Sequence, residues 1–253
     1  MLGSVSEKFI KGPDTLKGTS FQKPLELKLI VDGESWYQGD LIQGTFEVKN
    51  QGATEVTLSE LGVLLAQGDL KKVTEKKADA FKIISPHPIA ATLKLEPQGE
   101  TKAQWRFQLD PNCPVNDTRG SLYLLYGQGT TSTSLGQLQL TILPSKAIHK
   151  FIDTLQIEFR FVKKSIKFTK AGVEVKFAPP SAKGFGSIES LVIQFQNMPE
   201  ALHVKYIFAL KTIDMMTGTM QVVKTQREYE QELNSKDDLQ KAIDGILEQN
   251  KKS

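Results

Sequence analysis

The sequence predicts a mainly β protein, with a β-sandwich followed by a smaller second β-domain and a C-terminal amphipathic helix. Apolar and polar residues alternate through much of the chain, as they do from Leu25 to Val31. This period of two places one face of a strand on a core and the other in water. Turn-forming pairs such as Asp32-Gly33 separate these runs, and many short strands with turns between them are typical of a sandwich or barrel.

Four segments follow from the pattern. Residues 1–24 contain glycine and proline without a clear period, and they predict a flexible N-terminal arm. Residues 25–144 predict the sandwich, which ends at Pro144, and residues 150–226 predict the second β-domain. With 253 residues, of which 39% are apolar, the chain is long enough to build both cores.

The fourth segment, residues 235–250, predicts a helix. Ser235 and Asp238 have the spacing of a capping box. The apolar residues that follow lie on one helical face, and they are Leu239, Ala242, Ile243, Ile246 and Leu247. Two interpretations of this stripe remain open: it packs on the second β-domain, or it binds a partner or a second copy of this chain.

Three breaks in the alternation lead to local predictions. Residues 67–80 are rich in lysine and predict a solvated hairpin or long loop. Pro86-His87-Pro88 predicts a corner between two strands, because proline in a sheet belongs at edges or bends. Residues 146–152 predict a short linker or helical turn, and the alternation over residues 157–161 predicts a strand.

Composition argues against several classes of protein. The 32 basic and 29 acidic residues leave a net charge of +3, and the basic residues are scattered, whereas nucleic-acid binders concentrate them. We therefore expect no nucleic-acid partner, and at most peripheral contact with a membrane. The single cysteine permits no internal disulfide. No stretch approaches the roughly 20 apolar residues that span a bilayer, so we expect a cytoplasmic protein.

No catalytic motif is evident, and we expect neither enzymatic activity nor a cofactor or metal. His87, His149 and His203 are far apart and lack metal-ligand spacing, although a site that assembles in three dimensions stays open. Cys113 has no neighbouring base to activate it. One oxygen-rich cluster is compatible with calcium binding or, more simply, with turn formation; it comprises Asp110, Asn112, Asn116 and Asp117.

Two landmarks resemble the arrestin-like domains. The first is the segment Trp36-Tyr37-Gln38-Gly39-Asp40-Leu41-Ile42-Gln43-Gly44-Thr45-Phe46-Glu47-Val48, in which a turn precedes an alternating strand. The second is the order of an aromatic strand at residues 105–109, a bend at Cys113-Pro114, and a tyrosine-bearing strand at residues 120–126. Beyond Pro144, the chain is similar to the bacterial sporulation-control proteins that share the arrestin fold, with a reduced second domain.

This resemblance implies a non-enzymatic adaptor that binds protein partners through sandwich edges, loops and the groove between domains, in stress, developmental or trafficking control. The first candidates for partner binding are in the lysine-rich segment and in the tract from Gly127 to Gly136. They are Lys71, Lys72, Lys76, Lys77, Gln128 and Thr130.

An alternative is a sandwich that binds a small molecule or a carbohydrate. Such a protein would present a row of aromatic side chains to solvent. The candidates for that row are Trp36, Tyr37, Tyr123 and Tyr126.

Overall fold

The computed structural model describes residues 15–129, 134–182, 185–214 and 221–252. These residues form fifteen strands and three helices. The strands are β1 Thr15–Gln22, β2 Leu25–Asp32, β3 Trp36–Tyr37, β4 Leu41–Asn50, β5 Val56–Asp69, β6 Phe81–Leu95, β7 Glu100–Gln108, β8 Gly120–Gln128, β9 Gly136–Gln139, β10 Ile142–Leu143, β11 Val162–Thr169, β12 Gly172–Ala178, β13 Ile188–Asn197, β14 Ala201–Asp214 and β15 Gln221–Asn234. The helices are α1 Leu70–Thr74, α2 Lys146–Ile157 and α3 Leu239–Lys252. None of the helices in the described ranges is long and apolar enough to cross a membrane.

The first domain is a sandwich of two antiparallel sheets. One sheet has the strand order β1-β2-β4-β7, and the other has the order β6-β5-β8-β9. The predicted alternation holds in β2, where Leu25, Leu27, Leu29 and Val31 are all buried in the core between the sheets. The fold class predicted from the sequence is therefore confirmed.

Gly44 shows how closely β4 approaches its two neighbours, β2 and β7, within one sheet. A Cβ atom at this position would lie 2.0 Å from the backbone oxygen of Ile30 on β2 and 2.9 Å from the Trp105 side chain on β7. The strands pair at this point, with Gly44 opposite both Val31 and Trp105. A residue without a side chain is therefore required in the middle of β4.

The N-terminal arm is a correction to the sequence prediction. Residues 15–22 form β1, which pairs with β2 along its whole length. At Gly18 a Cβ atom would lie 2.8 Å from the Tyr126 hydroxyl oxygen, so the lack of a side chain allows β1 to pass close to Tyr126. The many polar residues of this strand hid its period. Residues 1–14 of the predicted arm lie outside the described part of the chain.

The lysine-rich stretch is exposed and connects the antiparallel strands β5 and β6, as the predicted hairpin would, but it also contains helix α1. The first turn of α1 is capped because the Asp69 carboxylate accepts a hydrogen bond from the Lys72 N–H at 3.1 Å. A further local prediction was wrong. Pro86 and Pro88 do not turn a corner, since β6 runs through them as one edge strand. An edge strand tolerates proline because one side of it has no ladder partner.

The second domain is a single antiparallel sheet in the order β11-β12-β13-β14-β15, with its buried residues packed against α2 and α3. The strand predicted over residues 157–161 is wrong, because α2 continues to Ile157. Ser145 caps this helix, and its buried residues have helical spacing. They are Ile148, Phe151, Ile152 and Leu155.

Helix α3 begins later than predicted. Asp238, rather than Ser235, caps it, because its carboxylate accepts a hydrogen bond from the Lys241 N–H at 3.2 Å. Ile243, Ile246 and Leu247 are buried in the core of the second domain. The apolar stripe thus packs inside its own domain, as the first of the two interpretations expects. Self-association through this helix stays a prediction.

The two domains meet at the bend that joins β7 to β8. The Asn112 side-chain amide donates to the Asn197 backbone oxygen at 2.8 Å, and the Asn197 N–H donates to the Asn112 side-chain oxygen at 2.8 Å. Val115, two residues beyond Cys113, belongs to the core of the second domain and is 1% exposed. The bend therefore contributes to both domains.

Asp117 makes the second contact between the domains. Its carboxylate accepts the N–H groups of Phe168 on β11 at 3.0 Å, of Arg119 at 2.7 Å and of Gly120 at 3.0 Å. The Arg119 guanidinium lies 3.5 Å away. Burial of the carboxyl group opposes ionisation, but the three N–H groups and the guanidinium outweigh it, so the pKa of Asp117 lies below its usual value.

We predict that Asp117→Asn lowers the free energy of unfolding at pH 7 by about 2 kcal/mol, since it leaves buried N–H groups without a charged acceptor. Because the folded-state pKa is depressed, the stabilisation is full above the unfolded pKa of about 3.9 and is lost as the pH falls through the folded value. Thermal unfolding followed from pH 7 to pH 2.5 measures this. Glu96→Gln, at an exposed position, is the control. A gap between wild type and Asp117→Asn that stays constant with pH contradicts the prediction.

We predict opposite effects of alanine at two glycines. Gly44→Ala should lower the free energy of unfolding by about 2 kcal/mol because β4, between β2 and β7, has no room for a methyl group at this position. Gly245→Ala in α3 meets open space and should raise it by about 0.8 kcal/mol through helix propensity. Denaturant unfolding measures both. Equal effects of the two substitutions would show that the close approach at Gly44 is not a constraint.

Candidate functional site

The predicted lysine-rich segment lies at the end of β5, on and beside α1. Lys71, Lys76 and Lys77 are exposed, and Lys72 is half-buried. Lys72 donates to the Asp79 carboxylate, and this hydrogen bond raises the pKa of Lys72 and lowers that of Asp79. Lys77 lies 2.7 Å from Glu75. The segment is therefore a folded basic corner with its own acidic partners.

The second group of predicted residues lies elsewhere. Gln128 ends β8, and its side chain donates to the Ser59 hydroxyl at 3.3 Å. Because β8 pairs with β5 from Gly120 to Gln128, Gln128 is about 26 Å along the strand from the end next to α1, at about 3.3 Å per residue. Thr130 lies outside the described residues. The structure thus brings the four lysines together, but not Gln128 with them.

A cavity of about 410 Å³ opens beside the lysine-rich corner, where the two domains meet. We call it the junction cavity. Its walls come from the end of β5, the start of β6, the bend before β8, and β11. The lining residues are Gln67, Gly68, Asp69, Asp79, Ala80, Phe81, Lys82, Pro114, Val115, Asp117, Arg119, Gly120 and Phe168.

Both acidic and basic side chains line the junction cavity, and they differ in how many partners they already have. The Asp117 carboxylate is 4% exposed and fully occupied by the contacts that join the domains. The Arg119 guanidinium donates to the Phe168 backbone oxygen at 2.7 Å, yet its side chain is 64% exposed. Lys82 is also exposed. The exposed carboxylates of Asp69 and Asp79 line the cavity as well, but Asp69 caps α1 and Asp79 pairs with Lys72. Arg119 and Lys82 add positive charge beside them, and the Asp117 carboxylate has no capacity left to bind a ligand.

The strand that leaves the cavity carries exposed apolar residues. Phe81 and Lys82 line the cavity, and the next two residues, Ile83 and Ile84, are 42% and 49% exposed. They lie where the register between β6 and β5 shifts: Ile83 is opposite Ala66, and Ile84 is the extra residue before Ser85, which is opposite Leu65. Strand β6 is the outer strand of its sheet, so one side of its backbone has no ladder partner.

We define the junction surface as the junction cavity together with Ile83, Ile84 and the lysines of the α1 corner. The sequence shows part of it, because two adjacent isoleucines break the alternation of β6. It does not show that Arg119 and Phe168, which are 49 residues apart, lie on the same wall. That proximity depends on how the domains pack.

The histidines are in three different elements. His87 on β6 packs against the Phe107 ring, with 6.0 Å between ring centroids. His149 on α2 lies 3.4 Å from Asp153, and His203 on β14 lies 3.8 Å from Glu230. Within the described ranges, no group of three or more His, Cys, Asp or Glu side chains is placed to hold a metal ion.

Cys113 is buried, and burial raises the pKa of its thiol to about 12. A thiol with this pKa stays protonated at neutral pH and is a poor nucleophile. Its backbone oxygen accepts a hydrogen bond from the Gln38 side chain at 2.5 Å. The residue thus contributes to packing at the bend, as its sequence neighbours suggested.

The oxygen-rich cluster stabilises backbone structure. Asp110 accepts the Asn112 N–H at 2.6 Å, and Asn116 accepts the Ile142 N–H at 2.6 Å while donating to the Leu140 oxygen at 2.9 Å. These contacts, with those of Asp117, fit the interpretation of the cluster as turn formers.

The aromatic candidates for carbohydrate binding are mostly internal. Trp36, Tyr123 and Tyr126 are each at most 5% exposed, and Tyr37 is half-buried. Those three rings are not placed to stack on a sugar at the surface. Binding of a small molecule or carbohydrate elsewhere on the chain stays a prediction.

No protein-family model matches this chain, and no curated protein matches it by sequence. Similarity appears among solved structures. Two β-glucosidases, from Listeria innocua and Erythrobacter marinus, match with TM-scores of 0.30 at 9% and 13% identity, over 47% and 51% of this chain and 16% of each of theirs. A likeness this partial says nothing about fold or activity.

Spo0M, the sporulation control protein of Bacillus subtilis, is similar over nearly the whole chain. The TM-score is 0.60 at 14% sequence identity, and the match covers 89% of this chain and 98% of Spo0M. The resemblance that the sequence predicts is thus confirmed at the level of the fold. The chain has an arrestin-like architecture that it shares with a sporulation-control protein.

Proposed function

We propose that this chain is a non-enzymatic intracellular adaptor that binds a protein partner along the junction surface. The observation that carries the proposal is the pair of half-exposed isoleucines, Ile83 and Ile84, on the outer strand β6. Adjacent exposed apolar residues at a sheet edge are typical of interaction sites. A segment of a partner that lies along the start of β6, ahead of Pro86 and Pro88, can cover both side chains.

Burial supplies the driving force for this binding. Covering the exposed part of an isoleucine contributes about 25 cal/mol for each Å² of apolar surface removed from water. Main-chain hydrogen bonds to β6 ahead of Pro86 add direction to that burial, because they fix the partner in an extended conformation. Apolar residues on alternate positions of the partner are therefore expected to face Ile83 and Ile84.

The charge around β6 selects the partner's chemistry. Lys82 and Arg119 line the cavity and are exposed, and Lys71 is exposed on α1. The carboxylates there are already paired, Asp79 with Lys72 and Asp117 with Arg119. Positive charge near a binding edge favours acidic residues in the partner and speeds their encounter. We infer an extended acidic and apolar segment, with acidic residues that reach the junction cavity.

The cellular role rests on analogy of fold alone. Spo0M is described as a sporulation control protein. We place the present chain, by that analogy, among proteins that control development or stress responses. Its single cysteine, which permits no internal disulfide, supports a place inside the cell.

We predict that Ile83→Asp with Ile84→Asp weakens binding of the native partner at least tenfold. The substitutions remove the apolar contact and repel an acidic segment. Tagged full-length wild type and variant are used to recover proteins from the native cell, and the protein lost with the variant is then purified and titrated calorimetrically. Ile157→Asp is the matched control, since Ile157 is 66% exposed on α2, outside the junction surface.

The outcome decides whether β6 is part of the binding interface. Loss of one protein with the β6 variant, but not with Ile157→Asp, supports the proposal. Equal recovery from all three chains, each shown by circular dichroism to be folded, removes β6 from the interface. Reversal of Lys71, Lys72, Lys76 and Lys77 to Glu tests the basic corner in the same experiment, and unchanged recovery would remove that corner.

A further inference from the structure

Strand β15 forms the outer edge of the second sheet. Its fourteen residues pair with β14 in one unbroken register. It contains no proline, whereas the edge strand β6 contains two prolines and two register shifts, and β11 contains one shift. Among the sheet edges in the described residues, β15 is the longest without proline or a register shift. Proteins ordinarily interrupt such edges because they pair readily with other strands.

Charge along β15 is divided between its two halves. Lys224 and Arg227 lie in the first half, and Glu228, Glu230 and Glu232 lie in the second. Lys224 and the three glutamates are exposed. On the inner side of the strand these charges already have partners, since Lys224 lies 3.1 Å from Glu189, and Glu228 and Glu230 lie 2.7 Å and 3.4 Å from Lys205. On the outer side, antiparallel pairing with a second copy places the basic half of each strand against the acidic half of the other.

We propose that a second copy of this chain binds through β15, antiparallel, to form a continuous ten-stranded sheet. A two-fold axis normal to the sheet at Glu228 places Lys224 of each copy opposite Glu232 of the other, so the favourable pair occurs twice. The axis keeps the same face of both sheets on the same side, and the helices α2 and α3 of both copies then cover one face.

At the centre of this pairing, a cation on β14 reduces the repulsion between like charges. Glu228 meets its own copy at the axis, which brings two carboxylates together. Each Glu228 carboxylate, however, lies 2.7 Å from the Lys205 ammonium on the neighbouring strand β14. The same lysine lies 3.4 Å from Glu230. The cation on β14 offsets the repulsion without any rearrangement of the sheet.

A cysteine at the axis gives a direct test. Directly opposite residues of an antiparallel pair have Cα atoms about 4.5 to 5.5 Å apart, within the range of about 4.4 to 6.8 Å that a disulfide spans. Glu228→Cys in the full chain should therefore give a covalent dimer on mild oxidation, read on a non-reducing gel. The native Cys113 is buried and does not compete.

The matched control is Lys102→Cys. Lys102 lies on β7, the outer strand of another sheet, and is also engaged in ion pairs, with Glu47 and Glu100. It should crosslink at least tenfold less than Glu228→Cys under the same conditions. Equal crosslinking of the two, or none with Glu228→Cys, overturns the proposal.

Charge reversal tests the register without a new cysteine. Lys224→Glu places like charges opposite each other at both ends of the pairing and should raise the dimer dissociation constant at least tenfold, measured by sedimentation. Combining Lys224→Glu with Glu232→Lys restores opposite charges and should restore the dimer. Two results contradict pairing through β15. One is a dissociation constant that Lys224→Glu leaves unchanged, and the other is a wild-type chain that stays monomeric at about 100 µM. The result does not depend on the junction surface, which involves none of these residues.

Discussion

One buried carboxylate ties the bend of the first domain to the second sheet. Asp117 takes the backbone N–H groups of its own bend and of β11 at the same time. A buried anion without these donors would be strongly unfavourable, so the bend and β11 must stay together for either to keep its conformation. The Asn112–Asn197 pair and Val115 follow from that geometry, because they lie on the same short bend. The walls of the junction cavity follow as well.

Much of the sandwich could be read from the sequence, because a strand with one buried face leaves a clear period. Strand β2 is the simplest case, with every second residue in the core. Strand β1 was missed because its alternate positions are largely polar or glycine and its role is to pair with β2. Helix α2 was missed because residues 157–161 alternate by coincidence just where the helix ends. Local patterns do not distinguish these cases without the tertiary contacts.

The candidate site divides in the same way. The basic corner is a contiguous stretch of sequence, so its charge was visible, although its helix was not. The junction cavity combines four separate stretches of chain, and no local pattern connects Arg119 with Phe168. Ile83 and Ile84 break the alternation of β6, but the sequence does not show which side of the strand faces solvent. Only the position of β6 at the outside of its sheet shows that they face solvent.

The short path between the domains has a mechanical consequence. Only Pro144 and Ser145 separate β10 from α2, and the Ser145 hydroxyl donates to the Asn197 side-chain oxygen at 2.7 Å. Together with the bend at residues 110–120, this fixes the domains at two points, which prevents free rotation about a single hinge. A change in the angle between the domains therefore requires the contacts at the bend or at Ser145 to break.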